Sequence, residues 1–516
     1  MPTRRTTALL SAAALAAALG LTGCTVAATS GGDATTASAI ERPDDLSAEA
    51  ILAANSDATT VNDDEWDASS AVDLAASSSA VTIADAGVYR LSGSYSGGVV
   101  VDAGEDALVV LVLDGADVES SSGPAIQVTS ADDVGVYLAS GSDNTVSDAG
   151  AGYADDADFH AAIAADADLA ISGDGALTVT ASDDGISTSD DLVILSGEIT
   201  VNAGDDGLRG HDALVVKGGT IAVDAAGGDA LKSDQDGDET QGWIEIAGGT
   251  LDLAAGDDGL DAQTDIVVTD GELTVRATGD GLHSEVVLVI EGGEVAVAES
   301  DEGIESFTIS IAGGTIDVTA SDDGVNASGG TSTTAQGGMG GDMADGGQLL
   351  SISGGTVTVD AQGDGLDSNG SLEMTGGTVT VHGPTNDGNG ALDTNGAFTI
   401  SGGTLVAIGS AGMAETPDAD SAQGFVSVNA SGEAGALVQL ADADGAVVAE
   451  LTATKQFANV VVSSPEIVNG ESYTVLVDGA SAGTGTAGEA SAGMGGGFGG
   501  GQPGGRQMPG GEPPQR

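Results

Sequence analysis

The chain of 516 residues contains one cysteine, 11 basic residues and only 3% aromatics. A single thiol excludes a disulfide framework within the chain. Eleven lysines and arginines stand against 81 acidic residues, a formal net charge of −70. Such a polyanion repels nucleic acid and anionic lipid, so neither is a direct partner. The scarcity of rings argues against a broad globular core and leaves little for stacking against sugars. The apolar stretch Ala8 to Leu21 is too short for a membrane-spanning helix, which needs about 20 residues.

What is present begins with a leader. Arg4 and Arg5 precede that apolar stretch, and Leu21-Thr22-Gly23-Cys24 has the form of a bacterial lipobox. The lone cysteine therefore reads as a lipidation site. Residues 1–23 are expected to be removed on export and Cys24 to hold the chain at the extracellular face of the cell membrane, its one link to a membrane. Residues 24–75, rich in Ala, Ser, Thr and Asp, read as a tether.

One phrase then recurs: Ser182-Asp183-Asp184-Gly185, Gly204-Asp205-Asp206-Gly207, Gly256-Asp257-Asp258-Gly259, Ser321-Asp322-Asp323-Gly324. The turn glycines, with Ala230 in place of one, fall at 185, 207, 230, 259, 281, 303, 324 and 365, mostly 21 to 23 residues apart. A period of this size marks a solenoid, whose repeats bury their apolar faces against one another. Each repeat carries three apolar anchor sets, such as Leu177 and Val179, then Ile186, then Leu192 and Ile194. Spacing of two puts a pair on one strand face. The expected fold is all-β, a right-handed three-sided parallel β-helix of about 22 residues per coil over residues 80–415. Gly-Gly-Thr triplets such as Gly313-Gly314-Thr315 mark the corners. Residues 424–478 are expected to form a small β cap, and 479–516 a disordered Gly-rich tail. The long steps to Gly259 and Gly365 hold insertions, the second running from Gly329 to Gly347.

Stacked strands lie about 4.8 Å apart, so repeated carboxylates would repel unless a cation joins them. Calcium, which takes six to eight oxygens in flexible geometry, is the expected cofactor. Candidate ligands are Asp183, Asp184, Asp205, Asp206, Asp229, Asp257, Asp258, Asp280, Asp301, Glu302, Asp322, Asp323 and Asp364. Asp234 and Asp236, in the first insertion, form an irregular calcium loop on this reading. It is not an EF-hand, since Gly237 is not at the sixth position and no helices flank it. Asp before Gly also suits a tight turn without metal.

The position two after each turn glycine changes chemistry from coil to coil: Ser187, Arg209, Lys232, Asp261, His283, Glu305, Asn326, Asp367 and Asp393. Alternation points this column outward, beside the acidic turns. From Arg209 to Asp367 it is the candidate surface for reading hydroxyls and carboxylates of an extended polymer.

The succession Asp206-Gly207-Leu208-Arg209-Gly210, Ala230-Leu231-Lys232-Ser233, Gly281-Leu282-His283-Ser284, Glu302-Gly303-Ile304-Glu305, Asp323-Gly324-Val325-Asn326-Ala327 and Asp364-Gly365-Leu366-Asp367-Ser368 resembles the bacterial surface carbohydrate-binding domain-containing family, over roughly residues 80–480. Ala230 departs from the pattern at one turn glycine. The resemblance implies a calcium-binding, pectate-lyase-like parallel β-helix that binds cellulose and polygalacturonate without established lyase activity. The partner is then an extracellular polysaccharide, acidic and polygalacturonate-like ahead of cellulose because of the few aromatics, held by a monomer. A lyase would need a base, and Lys232 and Arg209 are the candidates; acids around Lys232 should hold it protonated. The third class is a structural or adhesive surface protein that uses the ladder only for rigidity.

Overall fold

The computed structural model describes residues 42–63, 65–148, 153, 160–329 and 345–490. The leader, Cys24, most of the second insertion and the tail from 491 lie outside the described residues. Among those residues there are forty strands, one seven-residue α-helix and one 3-10 turn. The protein is all-β.

Thirty-six strands join one sheet, and the repeats pair in parallel with the repeat one coil on. Leu177 and Val179 pair with Ile199 and Val201, and these with Ile221 and Val223. Ile186 pairs with Leu208, and Leu208 with Leu231. Leu192 and Ile194 pair with Leu214 and Val216, then with Ile244 and Ile246. The three anchor sets thus make three series of stacked strands around one aliphatic core that runs from Ile83 to Val461. Register is held because a one-residue slip would carry a whole set of anchors out of that core.

The glycines serve two different needs. At the corner Gly313-Gly314, the second has φ 81°, whereas a Cβ on the first would stand 2.0 Å from the Glu291 carbonyl oxygen of the preceding coil. The turn glycine of the acidic phrase is of the first kind: a Cβ on Gly207 would meet Val223 Cγ1 at 2.3 Å. It lets coils approach closely and needs no left-handed backbone.

Residues 48–75 depart from the expected tether. The helix Ala48–Ala54 buries Ala48 and Ile51 against Val267, Val287 and Val289. The Ala48 N–H donates to Glu291 Oε1 at 2.9 Å and Asn55 Nδ2 to Asp265 Oδ2 at 3.0 Å. The Thr59 N–H donates to Asp191 Oδ2 at 2.7 Å, and Val61 packs on Val88, Val110 and Val112. The cause lies in the third anchor series, where alternation lapses into runs such as Leu192-Val193-Ile194 and Leu288-Val289-Ile290. Both faces of those strands are apolar, and the N-terminal strap covers the outer one. Trp243 lies under it at 4% exposure and offers no platform to a sugar.

At the other end, Asn459–Ser463 pairs antiparallel with Thr404–Gly409 and with Phe425–Val428, closing an edge that would otherwise expose unpaired backbone. A separate four-stranded antiparallel sheet follows, whose last strand is Ala480–Thr486. Ordered structure therefore extends past Gly479, where the sequence suggested a tail.

Candidate binding column and acidic ladder

The column residues stack in register. Ser187 pairs with Arg209, Arg209 with Lys232, Lys232 with Asp261, Asp261 with His283, His283 with Glu305, Glu305 with Asn326, Asn326 with Asp367 and Asp367 with Asp393. They lie on the outer side of their strands but are half-buried, and Asn326 is only 6% exposed. The acidic turns crowd them from one side.

The second acid of the turn phrase has a structural task that spacing alone did not reveal. Asp184 accepts the Asp206 N–H at 3.3 Å, Asp206 that of Asp229 at 2.9 Å, Asp229 that of Asp258 at 2.8 Å, and Asp258 that of Asp280 at 2.6 Å. Asp280 accepts the Glu302 N–H, Asp323 that of Asp364 and Asp364 that of Gly390. Each carboxylate caps a main-chain donor of the next coil, where the turn interrupts the sheet ladder. One oxygen is thereby committed; in Asp229 the other accepts from Lys232 Nζ. The first acids differ: Asp205, Asp257, Asp301 and Asp322 are exposed, and Asp183 is engaged by His160 at 2.9 Å.

From Arg209 to His283 the chain supplies its own cations. Lys232 Nζ stands 2.5 Å from Asp229, 3.6 Å from Asp261 and 3.7 Å from Asp206. Burial alone would lower its pKa, but the bond to Asp229 and the three negative charges hold it above the usual lysine range. His283, 3.3 Å from Asp261, is raised to about 9 chiefly by that hydrogen bond, so it is a cation at neutral pH. Arg209 donates through Nε and Nη2 to Asp234 at 3.0 and 2.9 Å, and His211 Nδ1 is 2.7 Å from the same carboxylate. Burial would raise Asp234, yet these partners hold it below the usual carboxylate range.

Asp234 is therefore placed as a counter-ion of the column, where the sequence suggested an irregular calcium loop. Its oxygens face two basic side chains, while Asp236 stands exposed two residues further on. No potential metal group among the described residues joins the pair.

From Glu305 onward the balance is different. Oxygens of Asp280, Glu302 and Glu305 lie within 4.8 Å of one another. Burial, then the hydrogen bond with Glu305, raises Asp280 to about 8; burial and Glu305 raise Glu302 to about 7. Further along, Asp364 rises to about 7 and Asp367 to about 8, each through burial and then neighbouring carboxylates. Among the described residues the basic group paired with this stretch is His283, whose Nε2 stands 4.0 Å from Glu305. Asn326 Nδ2 donates to Glu302 Oε2 at 2.8 Å, while its Oδ1 is buried without a partner among the described residues. An orphaned carbonyl oxygen beside surplus carboxylates suits a hard, oxygen-seeking divalent ion.

Two further groups of potential ligands are Asp183, Asp184 and Asp205, and Asp258, Asp280 and His283. In the second, the imidazole would have to give up its proton to bind a metal. Glu415, outside the repeats and absent from any sequence expectation, joins the acidic end: it accepts the Thr394 N–H at 3.0 Å, and burial with Asp393 raises it to about 7.

The family model for "Carbohydrate-binding domain-containing protein" matches residues 77–329. A protein of that description from Acetivibrio thermocellus is 34% identical over 194 residues, covering 37% of this chain. The chain spans 63% of that relative's length. A solved structure of a polysaccharide lyase-like protein from C. thermocellum, a gadolinium derivative, shares 32% identity over 43% of this chain and 95% of that one, with a TM-score of 0.40. Over residues 77–329, from the first coils to the turn after Asn326, the chain is similar to the carbohydrate-binding domain-containing family.

Proposed function

We propose that the protein is a non-catalytic, calcium-dependent module for an extended acidic polysaccharide such as polygalacturonate, exported and anchored through Cys24 at the extracellular face as a monomer. On this reading the three strand series wind as a right-handed, three-sided β-helix, and the column from Arg209 to Asp367 lies along its ligand-binding face. The observation that carries the proposal is the unbalanced acidic half of the column with the orphaned Asn326 Oδ1 in it. Asp280, Glu302, Glu305 and Asn326 would hold the ion, which would supply positive charge to sugar carboxylates that the bare surface repels. Similarity to a carbohydrate-binding domain-containing protein favours the same class of ligand.

The lyase alternative asks Lys232 or Arg209 to accept a proton. Lys232 is held protonated by three carboxylates and Arg209 is locked on Asp234, so both are better suited to orienting a ligand than to abstraction. Calorimetry of polygalacturonate binding, with calcium and with EGTA, tests the proposal. Binding is expected only with calcium. Equal binding in EGTA would overturn the bridging role, and release of an unsaturated product would restore the enzyme. For the anchor, Cys24→Ser should abolish fatty-acid labelling in cells and release the chain to the medium.

A further inference from the structure

The column does not begin at Ser187. Ala164 and then Gln127 stand in register upstream of it. Where later coils fill this position with long polar side chains, Ala164 contributes one methyl group. Beside it is a cleft of about 630 Å³, within the range of roughly 300–1,000 Å³ common for small-ligand sites.

Its lining has unspent hydrogen-bonding capacity of both kinds. Gln127 is half-buried, and no partner is recorded for its amide among the described residues. Asp184 commits Oδ1 to the Asp206 N–H, which leaves Oδ2. Ser187 Oγ accepts from Arg209 Nη1 at 3.2 Å and keeps its own proton to donate. Asp166 accepts from Ser189 Oγ at 2.8 Å through one oxygen. The charge balance selects among ligands. Arg209 and His160 are the basic groups of this wall, and Asp234 and Asp183 already answer them from outside the cleft. Asp166 and Asp184 remain, so a sugar carboxylate would find no unanswered cation, whereas vicinal hydroxyls could donate to the acids and accept from Gln127 and Arg209.

We propose that this cleft is a subsite for a neutral pyranose unit, independent of calcium and distinct from the acidic half of the column. The proposal rests on the polysaccharide-binding reading above and adds a second sugar chemistry to it. Cellohexaose and xylohexaose titrated into the full chain in EGTA test it. At least one should bind, with affinity reduced about tenfold in Gln127→Ala and in Asp166→Asn and unchanged in Asp224→Asn, an exposed position outside both sites. Polygalacturonate binding in calcium should be unaltered by Gln127→Ala, which also reports that the variant is folded. Failure of both neutral probes to bind in EGTA, or equal affinity in both cleft variants, overturns the subsite. If polygalacturonate still binds in calcium, only the subsite has failed; if no glycan binds under either condition, the underlying reading has failed as well.

Discussion

Coils from Arg209 to His283 and coils from Glu305 to Asp393 share a turn phrase, a register and an aliphatic core, and differ in what stands opposite their carboxylates. In the first group Lys232, Arg209 and His283 meet Asp229, Asp234 and Asp261 within the chain. In the second, Glu302, Glu305, Asp364, Asp367 and Asp393 crowd around Asn326 with no lysine or arginine paired to them among the described residues. The same backbone thus carries one stretch balanced by its own cations and one that invites a cation from solution. The difference teaches that an acidic repeat is not one site repeated: the residue two steps after each turn decides whether its carboxylates are structural or available.

The comparison breaks most sharply at Lys232. Lys232→Met leaves Asp229, only 3% exposed, without its partner, and should cost about 3–5 kcal/mol in urea unfolding. A loss below about 1 kcal/mol would mean that the first half is not internally balanced. Calcium at about a hundred times its dissociation constant should add about 2.7 kcal/mol to the wild-type chain. That gain should vanish in Glu305→Gln and shrink in Asn326→Ala; retention of the full gain in both would place the ion elsewhere.

A smaller effect has the opposite sign to the lysine substitution. Asp367→Asn removes a charge that its surroundings disfavour, and in EGTA at pH 8 should stabilise the protein by about 1 kcal/mol. Destabilisation would show that Asp367 is held by a partner after all. The smallest effect is the slope with pH. Asp280 and Asp367, near 8 when folded and 3.8 when unfolded, bind more protons in the native state. Metal-free stability should therefore be greatest below about pH 4 as far as these groups decide, and fall as pH rises through about 8. His283, raised from 6.5 to about 9, adds loss in the same direction. Thermal melts in EGTA should show the decline, and Asp280→Asn with Asp367→Asn should flatten it.

Much of this was legible in the chain. The anchors Leu177, Ile186 and Leu192 recur at a constant interval, so they predicted which residues would be neighbours one coil on, and Ser187 through Asp393 stack in that order. Other features needed side-chain direction. Asp234 resembled a metal ligand by its alternation with Asp236, yet it turns onto Arg209 and His211, a choice made by charges 25 and 23 residues away. The strap had only an indirect signal, the unbroken Leu288-Val289-Ile290 type of run, whose outer valines had to be covered by something.

The sequence by itself determined the repeat, the register and the membership of the column, because apolar residues at a fixed period can be buried together in only one alignment. The tertiary structure decided which carboxylates are spent. That depends on how far each side chain leans toward a main-chain N–H, a lysine or open solvent, and these distances exist only once coils far apart in sequence are stacked.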